Sequence, residues 1–179
     1  MSTNQNLRKI SFVLGGARSG KSLHAETLAK TQHTAPGQLV YLATAQIFDE
    51  EMQTRIDLHR QRRGGEWVLA EAPIDLVDTL RNFDHPNNVV LVDCLSVWVT
   101  NLIINGHDVA TARDGLIAHL AKSISSLTFV ASETGLGIVP DNALSRQFRD
   151  ESGRLNQMVA AASDDVFFVT AGIAQKIKP

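Results

Sequence analysis

The sequence predicts an α/β domain built as a three-layer sandwich, a mostly parallel central sheet with helices on both faces. Three observations predict it. Short apolar runs rich in β-branched residues alternate with longer segments of helical period. Those runs are apolar along their whole length, as in strands covered on both sides. No repeat or low-complexity stretch interrupts the alternation. The 179 residues, 44% hydrophobic and 20% charged, suit one globular domain over 1–179 with a real core.

The elements follow in order. "ISFVL" (10–14) reads as the first strand, followed by a helix near 22–31. "LVYLAT" (39–44) and "WVLAE" (67–71) are the next strands, with a helix over 50–62 between them. A helix over 74–83 has Pro73 at its first turn, where the missing N–H costs nothing. "NVVLVD" (88–93) is a strand, then helices are expected at 95–104 and 109–125, the latter with Asp108 as N-cap. "LTFVA" (127–131), a helix over 142–162 with Asp141 as its cap, and "DVFFVT" (165–170) complete the pattern. In such sheets ligands bind beyond the carboxyl ends of the strands, so chemistry-bearing residues are expected just after them.

Composition excludes several classes. A net charge of −2 argues against a general nucleic-acid binder. Cys94 is the single cysteine, which rules out an internal disulfide and a thiolate metal cluster and fits a reducing cytoplasm. The N-terminal "MSTNQNLRK" has no apolar core of a signal peptide. The run "LSVWVTNLII" is broken by Ser96, Thr100 and Asn101 and is too short to span a bilayer. A cytoplasmic protein without a membrane span is expected.

Directly after the first strand stands "GGARSGKS": Gly15, then Gly16, Ala17, Arg18 and Ser19, then Gly20, Lys21 and Ser22. This is G-x-x-x-x-G-K-[ST] in the context the motif requires, with a buried strand before it and a helix after it. The glycines let successive N–H groups turn inward into an anion nest, and the helix beginning near Ser22 adds its positive end. Lys21 is placed for the β- and γ-phosphates and Ser22 for Mg²⁺. The fold is therefore expected to be of the P-loop NTPase type, binding a nucleoside triphosphate. Asp93, a carboxylate closing an apolar strand, is the expected second Mg²⁺ residue, its other reading being an N-cap. No N-K-x-D occurs, so a signalling GTPase is disfavoured, and a small-molecule kinase or nucleotidyltransferase fits one compact domain.

The stretch "RIDLHRQRRGGEW" (55–67) surrounds His59 with Arg55, Arg60, Arg62 and Arg63. On a helix, Arg55, Arg62 and Arg63 share the side of His59. Guanidinium groups bind phosphate oxygens, and their charge disfavours protonation of the imidazole, leaving a ring nitrogen able to attack an α-phosphate. A solvated basic helix face with an incidental histidine accounts for the same residues, and the residues alone leave both readings open.

The stretches "GGARSGKSLHAE", "YLATAQIFDEEMQTRIDLHRQRRGGEW", "AEAP", "VLVDCLSVWVTNL", "SETGLGIVPDNALSRQFRDESGRLNQ" and "VTAGIAQKIK" run in order from residue 15 onward. Together they resemble the bifunctional adenosylcobinamide kinase and adenosylcobinamide-phosphate guanylyltransferase family. The resemblance implies phosphorylation of adenosylcobinamide by ATP or GTP, then transfer of GMP from GTP to the resulting phosphate through a guanylyl-histidine. It places that histidine at His59, with Leu58 where some members carry a second histidine. Nucleotide contacts are implied at Gly15–Ser22, at Ala43, Thr44 and Ala45, at Arg60, Gln61, Arg62 and Arg63, and at Glu71 and Asp93. A homotrimer is implied as well. "TGLGIVP", with Gly135 and Gly137, reads either as a loop closing on a substrate or as an ordinary connector. Arg146, Arg149 and Arg154 suit either a phosphate or subunit contact or an ion-paired surface.

Overall fold

A computed structural model describes residues 8–45 and 65–178. The helix expected over 50–62 lies outside these residues. The strands are β1 (Ile10–Gly15), β2 (Leu39–Ala43), β3 (Trp67–Glu71), β4 (Val89–Asp93), β5 (Ser126–Ser132), β6 (Asp165–Thr170) and β7 (Ile173–Lys178). The helices, in chain order, are α1 (Lys21–Gln32), α2 (Leu76–Asn82), α3 (Leu95–Ile104), α4 (Val109–Leu120) and α5 (Ala143–Ala162).

The sheet order is β3-β2-β4-β5-β1-β6-β7. Every pairing is parallel except β6 with β7. Burial on both faces explains the unbroken apolar strands: the first five residues of β1, "ISFVL", are all buried. Successive side chains serve opposite layers, as the strand period of two requires. Phe12 and Leu14 join the larger core with Leu76, Leu95, Trp98, Leu116 and Leu155 from α2, α3, α4 and α5. Val13 joins a smaller core with Ala25 and Ala29 of α1 and with Tyr41, Trp67 and Leu91. The expected three-layer sandwich with a mostly parallel sheet is what forms.

Several expected boundaries are corrected. Pro73 precedes α2 rather than opening it; the helix starts at Leu76 after Asp75. Asp141 does not cap α5; Asn142 does, accepting from the Ser145 N–H at 2.7 Å. Asp108 does cap α4, its carboxylate accepting from the Ala110 and Thr111 N–H groups. The helix expected to run to 125 ends at Leu120 because the Asp84 carboxylate captures the following turn, accepting from Ser123 Oγ and the Ile124 and Ser125 N–H groups. β7 was not expected: its "IAQKIK" lies on an edge and is largely exposed, so it lacks the continuous apolar run that marks a central strand.

Candidate nucleotide site

The site is assembled at the carboxyl ends of β1, β2, β3 and β4. Residues 15–20 turn the chain from β1 into α1, whose first helical residue is Lys21. Gly20, at φ 95°, is the helix N-cap and supplies no side-chain cap, so the first N–H groups of α1 keep their capacity for an anion. The positive φ favours glycine there. Gly15 is required for a different reason: a Cβ there would stand 2.5 Å from Ser19 Oγ and 2.6 Å from the Val169 carbonyl oxygen.

Two distant segments brace the loop. The Gly172 N–H, from the β6–β7 turn, donates to the Ser19 carbonyl at 2.8 Å, and the Glu133 N–H donates to the Gly15 carbonyl at 3.1 Å. Lys21 Nζ donates to the Gly16 carbonyl at 3.1 Å, which folds its ammonium back over the loop it serves. Arg18, at φ 55°, is exposed at the tip, and Ser22 is half-buried in the first turn of α1.

The other strand ends line up beside one another. Ala43 is the register partner of both Glu71 and Asp93. Asp93 Oδ2 accepts from the Tyr41 hydroxyl at 2.8 Å, which orients the carboxylate. The Asp93 side chain caps no helix; the N-cap of α3 is Cys94, without a side-chain cap. Thr44, fully buried, donates its N–H to the Asp93 carbonyl at 3.2 Å and its Oγ1–H to the Cys94 carbonyl at 2.7 Å. Its Oγ1 in turn accepts the Cys94 N–H at 2.9 Å. Burial, and then the charge of Asp93, push the Cys94 thiol up to about 12, an effect the Lys21 ammonium partly offsets. Both effects favour the thiol of Cys94 over the reactive thiolate.

Among the described residues, no group of three or more His, Cys, Asp or Glu side chains forms a metal cluster. The donors at hand are the Asp93 carboxylate and the Ser22 hydroxyl. Both are hard oxygen donors, and a magnesium site of one or two protein oxygens completed by phosphate and water needs no more. The residues fit that ion.

Of the residues singled out in the sequence, Gly15–Ser22, Ala43, Thr44, Ala45, Glu71 and Asp93 all fall at this edge of the sheet. His59, Arg60, Gln61, Arg62 and Arg63 lie outside the described residues. Arg149 pairs with Asp150, and Arg154 with Glu151, which also holds Arg113. Arg146 donates to the Pro140 and Asp141 carbonyls. The arginines of α5 thus have partners within the chain. The 133–140 loop exposes Leu136 at 83% and Ile138 at 96%. Sequence reasoning missed Tyr41 and Gly172, whose roles depend on contacts far along the chain.

A glycine-rich loop between a buried strand and a helix, with a carboxylate closing β4 at the same end of the parallel sheet, defines a P-loop NTPase-type α/β protein. Solved structures share that fold. The flagellar accessory protein FlaH from Methanocaldococcus jannaschii superposes with a TM-score of 0.53 at 12% identity, over 95% of this chain and 78% of its own. A second solved structure, an ATPase domain, does so with 0.52 at 10%, over 90% and 69%. The family described as cobinamide kinase / cobinamide phosphate guanyltransferase matches residues 11–177, and the chain belongs to that family.

Its relatives include the bifunctional adenosylcobalamin biosynthesis protein CobU of Escherichia coli, 40% identical over 93% of this chain and 98% of the relative. CobU of Salmonella typhimurium is 42% identical, with 93% and 98% covered. The bifunctional adenosylcobalamin biosynthesis protein CobP of Pseudomonas aeruginosa is 41% identical, with 93% and 96% covered.

Proposed function

We propose that the protein carries out two successive transfers in adenosylcobalamin biosynthesis. ATP or GTP phosphorylates the aminopropanol hydroxyl of adenosylcobinamide. GMP then passes from GTP to adenosylcobinamide phosphate by way of His59, giving adenosylcobinamide-GDP. The observation that carries the reading is the braced P-loop at the carboxyl end of the sheet, where Thr44 and Asp93 also stand, in a chain matching the kinase/guanyltransferase family from residue 11 to 177.

In the first reaction the substrate hydroxyl oxygen attacks the γ-phosphorus and gives up its proton to water, the bond to the β–γ bridging oxygen breaks, and the nucleoside diphosphate leaves. The 15–22 nest and Lys21 hold the β- and γ-phosphates and meet the charge that develops on them. Ser22 and Asp93 hold Mg²⁺, which supplies further neutralisation of phosphate charge when bound. In the second reaction a ring nitrogen of His59 attacks the α-phosphorus of GTP and pyrophosphate leaves. An oxygen of adenosylcobinamide phosphate then attacks the same phosphorus and frees the imidazole. Arg60, Gln61, Arg62 and Arg63 bind phosphate oxygens, the arginines with charge-assisted bonds. Ala43, Thr44, Ala45 and Glu71 contact the nucleotide. The protein works as a cytoplasmic homotrimer and takes no nucleic acid.

Incubation with α-labelled GTP tests the reading. The protein should acquire acid-labile label with release of pyrophosphate, and His59→Ala should acquire none. Full labelling of His59→Ala would remove the histidine from the mechanism. Phosphorylation of cobinamide without any covalent nucleotide would leave a kinase alone.

A further inference from the structure

Pairing of β2 with its neighbours stops at Ala43, Glu71 and Asp93. The Ala72 N–H still reaches the Ala43 carbonyl at 2.8 Å and the Thr44 N–H the Asp93 carbonyl at 3.2 Å, and beyond those bonds the sheet no longer determines where the backbone goes. Yet it is beyond that point that the Thr44 carbonyl and Ala45 stand. One side chain takes over there. Asn101, 1% exposed on α3, points its amide nitrogen at the Thr44 carbonyl, 2.8 Å away, and at the Pro73 carbonyl, 3.0 Å away. Two carbonyl acceptors at one nitrogen fix the orientation of the amide and use both its N–H donors. Its Oδ1 is buried and accepts no bond among the described residues, so the side chain is kept at a cost in unmet hydrogen bonding that core packing alone does not require.

We propose that Asn101 is a positioning residue for group transfer. It ties the chain leaving β2 to the chain leaving β3. Through Thr44, which is itself bonded to the Asp93 and Cys94 carbonyls, it sets the rim at the carboxyl end of the sheet, the end that also carries the P-loop. It touches no phosphate and acts only through the residues it holds. The inference rests on the reading of this rim as the nucleotide site. It goes further by separating two tasks: the P-loop binds triphosphate with braces of its own from Gly172 and Glu133, whereas the Asn101 clamp aligns what reacts with it.

That separation gives the test. In Asn101→Leu, GMP transfer to adenosylcobinamide phosphate should lose about tenfold or more in kcat, while the Kd for a fluorescent GTP analogue stays within about threefold of wild type. Asn101→Asp keeps the shape but, when ionised, offers no donor. When protonated it regains one O–H, so its transfer rate relative to wild type should rise as pH falls from about 8 to about 6. Should the leucine variant fail to fold, the aspartate variant and its pH profile decide. Both variants transferring within about threefold of wild type would overturn the inference. So would an equal loss of nucleotide affinity and kcat together with a flat relative pH profile, since that is the mark of general structural damage. A wild-type protein that transfers no GMP would instead refute the functional reading on which the inference rests, and the control distinguishes the two failures.

Discussion

Gly15 shows how closely one residue can be tied to the site. The atoms a Cβ would meet are a side-chain oxygen of the loop itself and a backbone oxygen of β6, and the second cannot rotate away. Gly15→Ala must therefore push the loop off β6, at a cost of about 1–3 kcal/mol in stability. The same shift spoils the alignment of the N–H groups in the nest, so triphosphate affinity should fall by about tenfold or more. A titration with a fluorescent nucleotide analogue measures it, and an alanine variant that binds as wild type would show that the nest tolerates the displacement. Gly16, whose Cβ would meet nothing within 4 Å, is the natural control for stability.

At the scale of single elements, the caps divide helices whose ends are specified locally from those that are not. α5 carries its start signal in its own sequence: the Asn142 side chain takes up the Ser145 N–H. Asn142→Ala should cost about 1 kcal/mol, read as a lower urea midpoint with unchanged slope, and Asn142→Asp should restore it. An unaltered midpoint would mean that packing of α5 on the core, rather than its cap, fixes its first turn. The end of α4 is specified otherwise. Nothing within 121–125 forbids another helical turn; the stop comes from Asp84, after α2, across the fold.

The same contrast decides what could be read in the sequence. Strands β1 to β6, the described helices and the phosphate loop were legible because each is marked by residues adjacent in the chain: apolar runs, periodicity, and glycines followed by lysine and serine. The braces were not legible. Tyr41 on Asp93, Gly172 on Ser19 and Asn101 on Thr44 join segments far apart, and no local pattern announces them. In "LSVWVTNLII", Asn101 was visible only as an interruption of an apolar run. His59 and its arginines, prominent in the sequence, lie outside the described residues, so the role proposed for His59 rests on the resemblance of its motif.

Across the whole molecule, two histidines on opposite faces of the sheet make stability depend on mild acid. His24, on α1, packs edge-on to Phe167 with ring centroids 5.0 Å apart, and burial pulls it below the usual 6.5. His119, on α4, is pulled down in the same way: burial outweighs the opposing attraction of Asp84, and Arg81 and Arg8 add to the depression. The Nε2 of each is buried and has no partner among the described residues. Below the usual value the unfolded chain binds protons that the folded chain resists, so stability is whole above about pH 6.5 and is lost as pH falls through the depressed values. Asp84 and Asp165, held below the usual 3.8 by hydrogen bonds, with Lys9 and Lys176 also facing Asp165, extend the loss into stronger acid. Thermal midpoints recorded from about pH 7.5 to 4.5 should stay level and then decline, and His119→Leu should flatten part of the decline. A wild-type midpoint unchanged down to about pH 5 would contradict this account.

The brace from Gly172 to Ser19 has a consequence for synthesis. The ribosome delivers the phosphate loop early, yet β6, against which Gly15 packs, and the turn that holds Ser19 arrive only after every other strand but β7. A nascent chain can carry the complete glycine-rich motif and still have no finished cradle. On the proposed function, nucleotide captured by a growing chain would report that β6 and the turn after it have emerged and docked, and ATP or GTP would favour finished molecules over partial ones.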